Sequence, residues 1–162
     1  MRSLWRTNKE TAEIYERNVV TVYRVCFLFF RGRLPDVEDA VQTTFLALMK
    51  DTKPFRDLEH EKAWLIVTAS NICKNALASG WNKRVDMDEQ SVQRLTVPFN
   101  VDETLQSVMT LPDKYKTAIY MFYYEGYSAK EIAGYMGKTE SSVWGYLHQG
   151  RNLLKRTLKE GN

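Results

Sequence analysis

The chain has 162 residues, 44% of them hydrophobic and 27% charged, with a net charge of +3. This is ordinary globular composition for one medium domain or two small ones, too mildly basic to indicate a nucleic-acid partner by itself. No apolar run approaches the roughly 18–20 residues that span a bilayer, and the opening stretch, with Arg2 and Arg6, lacks the small-residue cleavage site of a secretory signal.

Helical periodicity runs through most long segments and no convincing strand alternation appears. Thr7 and Glu10 form a capping box, after which Tyr15, Val19, Val22, Cys26 and Phe29 recur at helical spacing. Gly32 and Pro35 interrupt the pattern. Asp36 is placed to cap a second helix with Val37, Val41, Phe45 and Leu48 on one face, and Pro54 ends it. A third helix starts near Glu59 and aligns Leu65, Ala69, Ile72 and Ala76. The two cysteines, Cys26 and Cys73, fall in apolar helical patterns without CxxC spacing, so buried reduced thiols and a cytoplasmic home are expected rather than a metal site.

The stretch from 82 to 101 is polar, contains Pro98 and has no sustained period; it reads as a linker. A short helix then carries Leu105, Val108 and Met109. Pro112 suits the first turn of the next, which presents Tyr115, Ile119 and Phe122 and stops at Gly126. Ser128 and Glu131 form a second capping box, opening a helix with Ile132, Ala133 and Met136. Gly137 supplies a turn in which a left-handed backbone costs little, and Thr139 caps the last helix, whose Val143, Leu147, Gly150, Leu154 and Leu158 face inward. The expected fold is all-α: a first helical domain over 1–81, a linker over 82–101, and a helix-turn-helix domain over 102–162.

The outer face of the last helix carries Thr139, Glu140, Ser141, Trp144, Gly145, His148, Gln149, Arg151, Asn152 and Lys155. Recognition helices reach base edges from such positions; solvated helix faces look the same by periodicity, and spacing alone leaves both open.

The segment LPDKYKTAIYMFYYEGYSAKEIAGYMGKTESSVWGYLHQGRNLLKRTL resembles the promoter-reading C-terminal domain of bacterial sigma-70 family factors of the extracytoplasmic-function (ECF) group. The match runs through Leu111, Pro112, Glu125, Gly126, Glu131, Ile132, Ala133, Gly137, Val143, Leu147, His148 and Arg151. Independently, DVEDAVQTTFLALMK resembles the family's D-A-E-D-x-x-Q-x-x-F helix through Asp36, Glu38, Asp39, Gln42 and Phe45. KAWLIVTASNICKN resembles its A-W-L-x-x-x-A-x-N helix through Ala63, Trp64, Leu65, Ala69 and Asn71.

The resemblance implies a factor that binds core RNA polymerase and directs promoter recognition and transcription initiation, with promoter DNA and an anti-sigma factor as partners. It implies no cofactor, no metal, no membrane insertion and no enzymatic activity. The alternative is a sigma-like regulatory protein that binds polymerase or an anti-sigma factor without reading promoters.

By the same resemblance, Glu38, Asp39 and Gln42 contact polymerase. Phe55 and Asn71 form a pocket for a base flipped from the minus-ten element, with Lys74 and Asn75 beside them. Trp64 is expected to anchor its helix. Thr139, Ser141, Ser142, Trp144, Gly145, His148, Gln149, Arg151 and Lys155 make the minus-thirty-five surface. Family members usually carry Lys or Arg where Trp144 stands, often Ser at Gly145, and Arg at Tyr146 and Gln149. Those cations are missing here, so the helix either reads a different element or turns its aromatic face to protein; altered readout is the reading taken.

Overall fold

The computed structural model describes residues 5–79 and 97–160, without the side chains of 157–160. The side chain of Leu158 and most of the expected linker, through residue 96, therefore lie outside what is described. All regular structure among the described residues is helical, as expected. The chain divides into two compact units, Met1–Phe99 and Asn100–Asn162.

The first unit is a three-helix bundle of α1 (Asn8–Phe30), α2 (Leu34–Lys50) and α3 (Leu58–Ala78). Thr7 accepts the Glu10 N–H at 3.1 Å, one half of the expected capping box. Left-handed Arg31 and Gly32 (φ 51° and 82°) end α1. Asp36 does not cap α2. The helix already starts at Leu34, because Pro35 fits a first-turn position whose N–H would have no partner anyway. Asp36 sits inside that turn, paired with Arg33 at 3.3 Å. Asp57 caps α3, accepting the His60 N–H at 2.7 Å.

Val22, Cys26 and Phe29, all four expected core residues of α2, and Leu65, Ala69 and Cys73 are buried where the three helices meet. Each large apolar side chain withdrawn from water contributes about 1.5–3 kcal/mol. Across the α1–α3 seam, buried Glu61 accepts from Arg17 Nε (3.0 Å) and Nη2 (2.9 Å) and from Asn18 Nδ2 (2.8 Å). The hydrogen bonds to Glu61, and then its charge, raise the Arg17 guanidinium above its already high pKa.

The last six residues of α1, Val25 to Phe30, are all buried. A helix end that is apolar all round needs cover on every side. Part of that cover is Phe99, which meets Phe27 and Tyr23 edge-on at 5.4 and 6.2 Å while the Arg24 guanidinium lies 5.3 Å over its ring. A stretch read as linker thus ends on the bundle.

The second unit contains α4 (Glu103–Met109), α5 (Asp113–Ile119), α6 (Ala129–Met136) and α7 (Glu140–Glu160). Pro112 stands one residue before α5 instead of in its first turn. Beyond Ile119, α5 runs into a π-helical turn, Tyr120–Tyr124, closed by the Glu125 N–H on the Tyr120 carbonyl at 3.2 Å. The wider turn breaks the 3.6-residue period. Ala118, Ile119, Tyr120 and Met121 are consecutively buried, while Phe122 is only half-buried and Tyr123 is exposed. The expected Tyr115–Ile119–Phe122 stripe holds at Ile119 and is displaced at Phe122.

Candidate functional site

The helix-turn-helix is built by local chemistry. Ser128 accepts the Glu131 N–H at 3.1 Å and the Glu131 carboxylate accepts the Ser128 N–H at 3.0 Å, so both halves of this capping box form. Gly137 turns at φ 65°, and the Lys138 N–H reaches back to the Ala133 carbonyl at 2.9 Å. Thr139 then caps α7. Its Oγ1 accepts the Ser142 N–H at 3.1 Å and donates to Ser142 Oγ at 2.8 Å. Thr139 and Ser142 are therefore joined in the cap, while Ser141 stands beside them on the exposed face.

Val143, Leu147 and Gly150 are buried and Leu154 is half-buried. Ser141, Trp144, Gly145, His148, Gln149, Arg151 and Lys155 are exposed, so the outer face is the expected one. His148 Nε2 and Asn152 Nδ2 lie 3.3 Å apart on it. With 1.5 Å of rise per residue, Arg151 follows Trp144 by about 10 Å and Lys155 by about 16 Å. That is a stretch of surface long enough to carry base contacts at one end and phosphate contacts at the other.

Trp144 is 51% exposed and meets Phe122 edge-on at 5.9 Å, and Phe122 meets the exposed Tyr123 at 4.9 Å. The π turn sets Phe122 against Trp144, with Tyr123 beside Phe122, a neighbourhood the helical period of α5 hid. A β-carbon added to Gly145 would meet nothing within 4 Å. Glycine costs about 1 kcal/mol against alanine inside a helix, and no packing within this unit repays that cost.

On α2, Glu38, Asp39 and Gln42 are all exposed. The half-exposed side chain of Leu46 extends the Asp39–Gln42 edge by one turn and was not singled out from the sequence. Burial, and then the charge of Glu38, raise the Tyr23 phenol above its ordinary pKa. A groove of about 410 Å³ between α2 and α3 is lined by Phe30, Asp36, Asp39, Ala40, Thr43, Ile72, Asn75 and Ala76. It brings Asp39, from the expected polymerase edge, and Asn75, from the expected minus-ten face, to one depression.

Phe55 is half-buried, with Trp64 at 5.7 Å, His60 at 5.4 Å and the Arg6 guanidinium 5.1 Å over its ring. Asn71 and Asn75 are exposed one turn apart on α3, and Lys74 is half-buried. Seven residues separate Asn71 from Trp64, nearly two full turns, so Asn71 shares the face of Trp64 about 10 Å further along the axis. Phe55 and Asn71 thus mark two stations of one strip. No local pattern around Arg6 points to its place over Phe55, which lies 49 residues further on.

Among the described residues, no group of three or more His, Cys, Asp or Glu side chains is arranged to hold a metal, and no helix is long and apolar enough to cross a membrane.

Residues 14–83 match the family described as sigma-70 region 2, and residues 102–154 match that described as sigma-70, region 4. ECF RNA polymerase sigma factor SigL of Mycobacterium tuberculosis is 25% identical over 156 residues, covering 91% of this chain and 88% of the relative. ECF RNA polymerase sigma factor SigW of Bacillus subtilis is 22% identical, with coverage of 86% and 83%. Among solved structures, CnrH in complex with the cytosolic domain of CnrY shares the fold at a TM-score of 0.66, 20% identity and coverage of 96% and 92%. The sigma factor RpoE of Bartonella quintana, in complex with the anti-sigma factor NepR, shares it at 0.62, 18% identity and coverage of 93% and 98%.

Proposed function

The chain belongs to the sigma-70 family, in its extracytoplasmic-function group, and from that premise we propose that it binds core RNA polymerase, reads promoter DNA and directs transcription initiation. One observation carries the reading. A region 2 match and a region 4 match occur in order in one chain, and the second holds a helix-turn-helix whose long last helix exposes a polar, basic-ended face. Polymerase performs the chemistry. This chain contributes promoter choice and strand separation, has no enzymatic activity of its own, and works in the cytoplasm.

In this reading Glu38, Asp39 and Gln42 dock on polymerase, supported by their shared exposure on α2. Phe55, Asn71, Lys74 and Asn75 hold the minus-ten strand: an aromatic packs on an extruded base, an amide further along the strip bonds a Watson–Crick edge, and a lysine meets phosphate. On α7, Ser141, Trp144, Gly145 and Gln149 discriminate bases, while His148, Arg151 and Lys155 meet phosphates and Thr139 and Ser142 shape the helix start. The open surface at Gly145 supports close approach of DNA to the α7 backbone. An anti-sigma factor is the further partner, a reading supported by the fold shared with RpoE, whose solved structure is such a complex.

The test is promoter selection with purified core polymerase from a randomised template pool. Initiation from a defined promoter, dependent on this chain, is expected. Core binding without initiation would replace this reading with that of a sigma-like regulatory protein.

A further inference from the structure

We infer that Arg6 is a positioning residue for minus-ten recognition, holding the loop between α2 and α3 in the shape that presents Phe55; the inference rests on the assignment of Phe55 above. Arg6 precedes the region 2 match, which begins at residue 14. It is nevertheless only 8% exposed. Its backbone N–H donates to the Met49 carbonyl at 2.7 Å. Its Nε donates to the Leu48 carbonyl at 3.2 Å, and its Nη2 donates to the carbonyls of Asp51 and, at 3.2 Å, Lys53. The guanidinium carbon then lies 5.1 Å over the Phe55 ring. Next to it, Trp5 receives the Lys50 ammonium 5.7 Å over its own ring.

These partners share a need. The last carbonyls of a helix lack a full set of intrahelical donors; Leu48 and Met49 belong to the last turn of α2, and locally the Leu48 carbonyl takes only an Asp51 N–H, at 3.2 Å, that it shares with Ala47. Asp51 and Lys53 lie in the irregular stretch that follows, with no ladder to hold their carbonyls. A guanidinium offers five N–H donors in one rigid plane, and its charge also complements the negative end of the α2 dipole. One buried side chain therefore closes the helix, orders the loop up to Lys53, and occupies one face of the aromatic ring two residues later. A ring held in place beforehand spares the ordering cost when a base arrives. Lysine would keep the charge, but a single ammonium cannot reproduce the fork.

The test uses full-length protein in holoenzyme. Open-complex formation is compared on a promoter and on the same promoter with one minus-ten base changed, for the parent, Arg6→Lys, Arg6→Gln and Phe55→Ala. The readout is the ratio between the two templates, which loss of folded protein or of core binding does not move because it lowers both alike. We expect Phe55→Ala and both Arg6 variants to reduce that ratio about tenfold, the scale of one base contact, with Arg6→Lys rescuing little of the Arg6→Gln loss. An unchanged ratio in both Arg6 variants, with Phe55→Ala reduced, overturns the inference and leaves the Phe55 assignment standing. An unchanged ratio in Phe55→Ala overturns that assignment and the inference with it. Full rescue by Arg6→Lys also overturns the inference, since charge and not the fork would then suffice.

Discussion

Gly150 of α7 lies against Ile119 of α5 so closely that a β-carbon on the glycine would stand 2.7 Å from Ile119 Cγ1 and 2.8 Å from its Cδ1. Ile119 is 1% exposed and cannot swing aside into solvent. Gly145, five residues earlier, faces open space. Alanine gains about 1 kcal/mol of helix propensity at either site, but at Gly150 overpacking costs roughly 1–3 kcal/mol. Gly150→Ala is therefore expected to be neutral to destabilising by about 2 kcal/mol and Gly145→Ala stabilising by up to about 1 kcal/mol, read by urea denaturation. If Gly145→Ala also weakens promoter binding despite the gain in stability, its hydrogen side chain serves the DNA interface. Unchanged promoter binding removes that role.

The docking edge on α2 predicts a separable defect. Asp39 and Gln42 are exposed and contribute nothing to the buried core of the bundle. Replacing both by alanine is expected to weaken core-polymerase binding at least several-fold while thermal unfolding stays within about 0.5 kcal/mol of the parent, as for surface changes generally. Unchanged affinity in a titration with core enzyme would remove these residues from the polymerase contact.

Asn71→Ala is expected to reduce strand opening on duplex promoters, followed by permanganate reactivity of unpaired thymines. Flipping a base costs a few kcal/mol that the pocket must repay. A template already unpaired across the minus-ten region should recover part of the opening, while base preference stays impaired. Opening equal to that of the parent on duplex DNA would sink the assignment of Asn71.

The α7 face predicts two different signatures. Gln149→Ala is expected to relax preference at one base position by roughly 1–3 kcal/mol, the range of a good bidentate pair. Arg151→Ala and Lys155→Ala should weaken all sequences alike and each flatten the salt dependence of binding by about 0.9 in log–log slope. Competition binding on randomised minus-thirty-five DNA at several salt concentrations separates the two. If Trp144→Ala and Gln149→Ala leave both the preferred sequence and its affinity untouched, the Trp144–Phe122–Tyr123 row belongs to a protein partner instead.

What the sequence determined by itself lies within a turn or two of helix. The Ser128–Glu131 box, the left-handed Gly137, the Thr139 cap and the alternation of buried Val143 and Leu147 with exposed Trp144 and His148 depend on neighbours three or four residues away. Such interactions are written in spacing, which is why the all-α fold and the outer face of α7 were legible. Where two local signals competed, as Asp36 against Pro35 for the start of α2, the ring's fixed φ prevailed. Only the tertiary structure decided the rest. At the π turn Tyr120 and Met121 are both buried in the core of the second unit, and Phe122 stands beside Trp144. Phe99 folds back on α1, and Arg6 closes the end of α2 more than 40 residues away in sequence, because buried rings need cover and stranded carbonyls need donors. Neither need says in the sequence which distant residue will meet it, since it is met by position in space and carries no period along the chain.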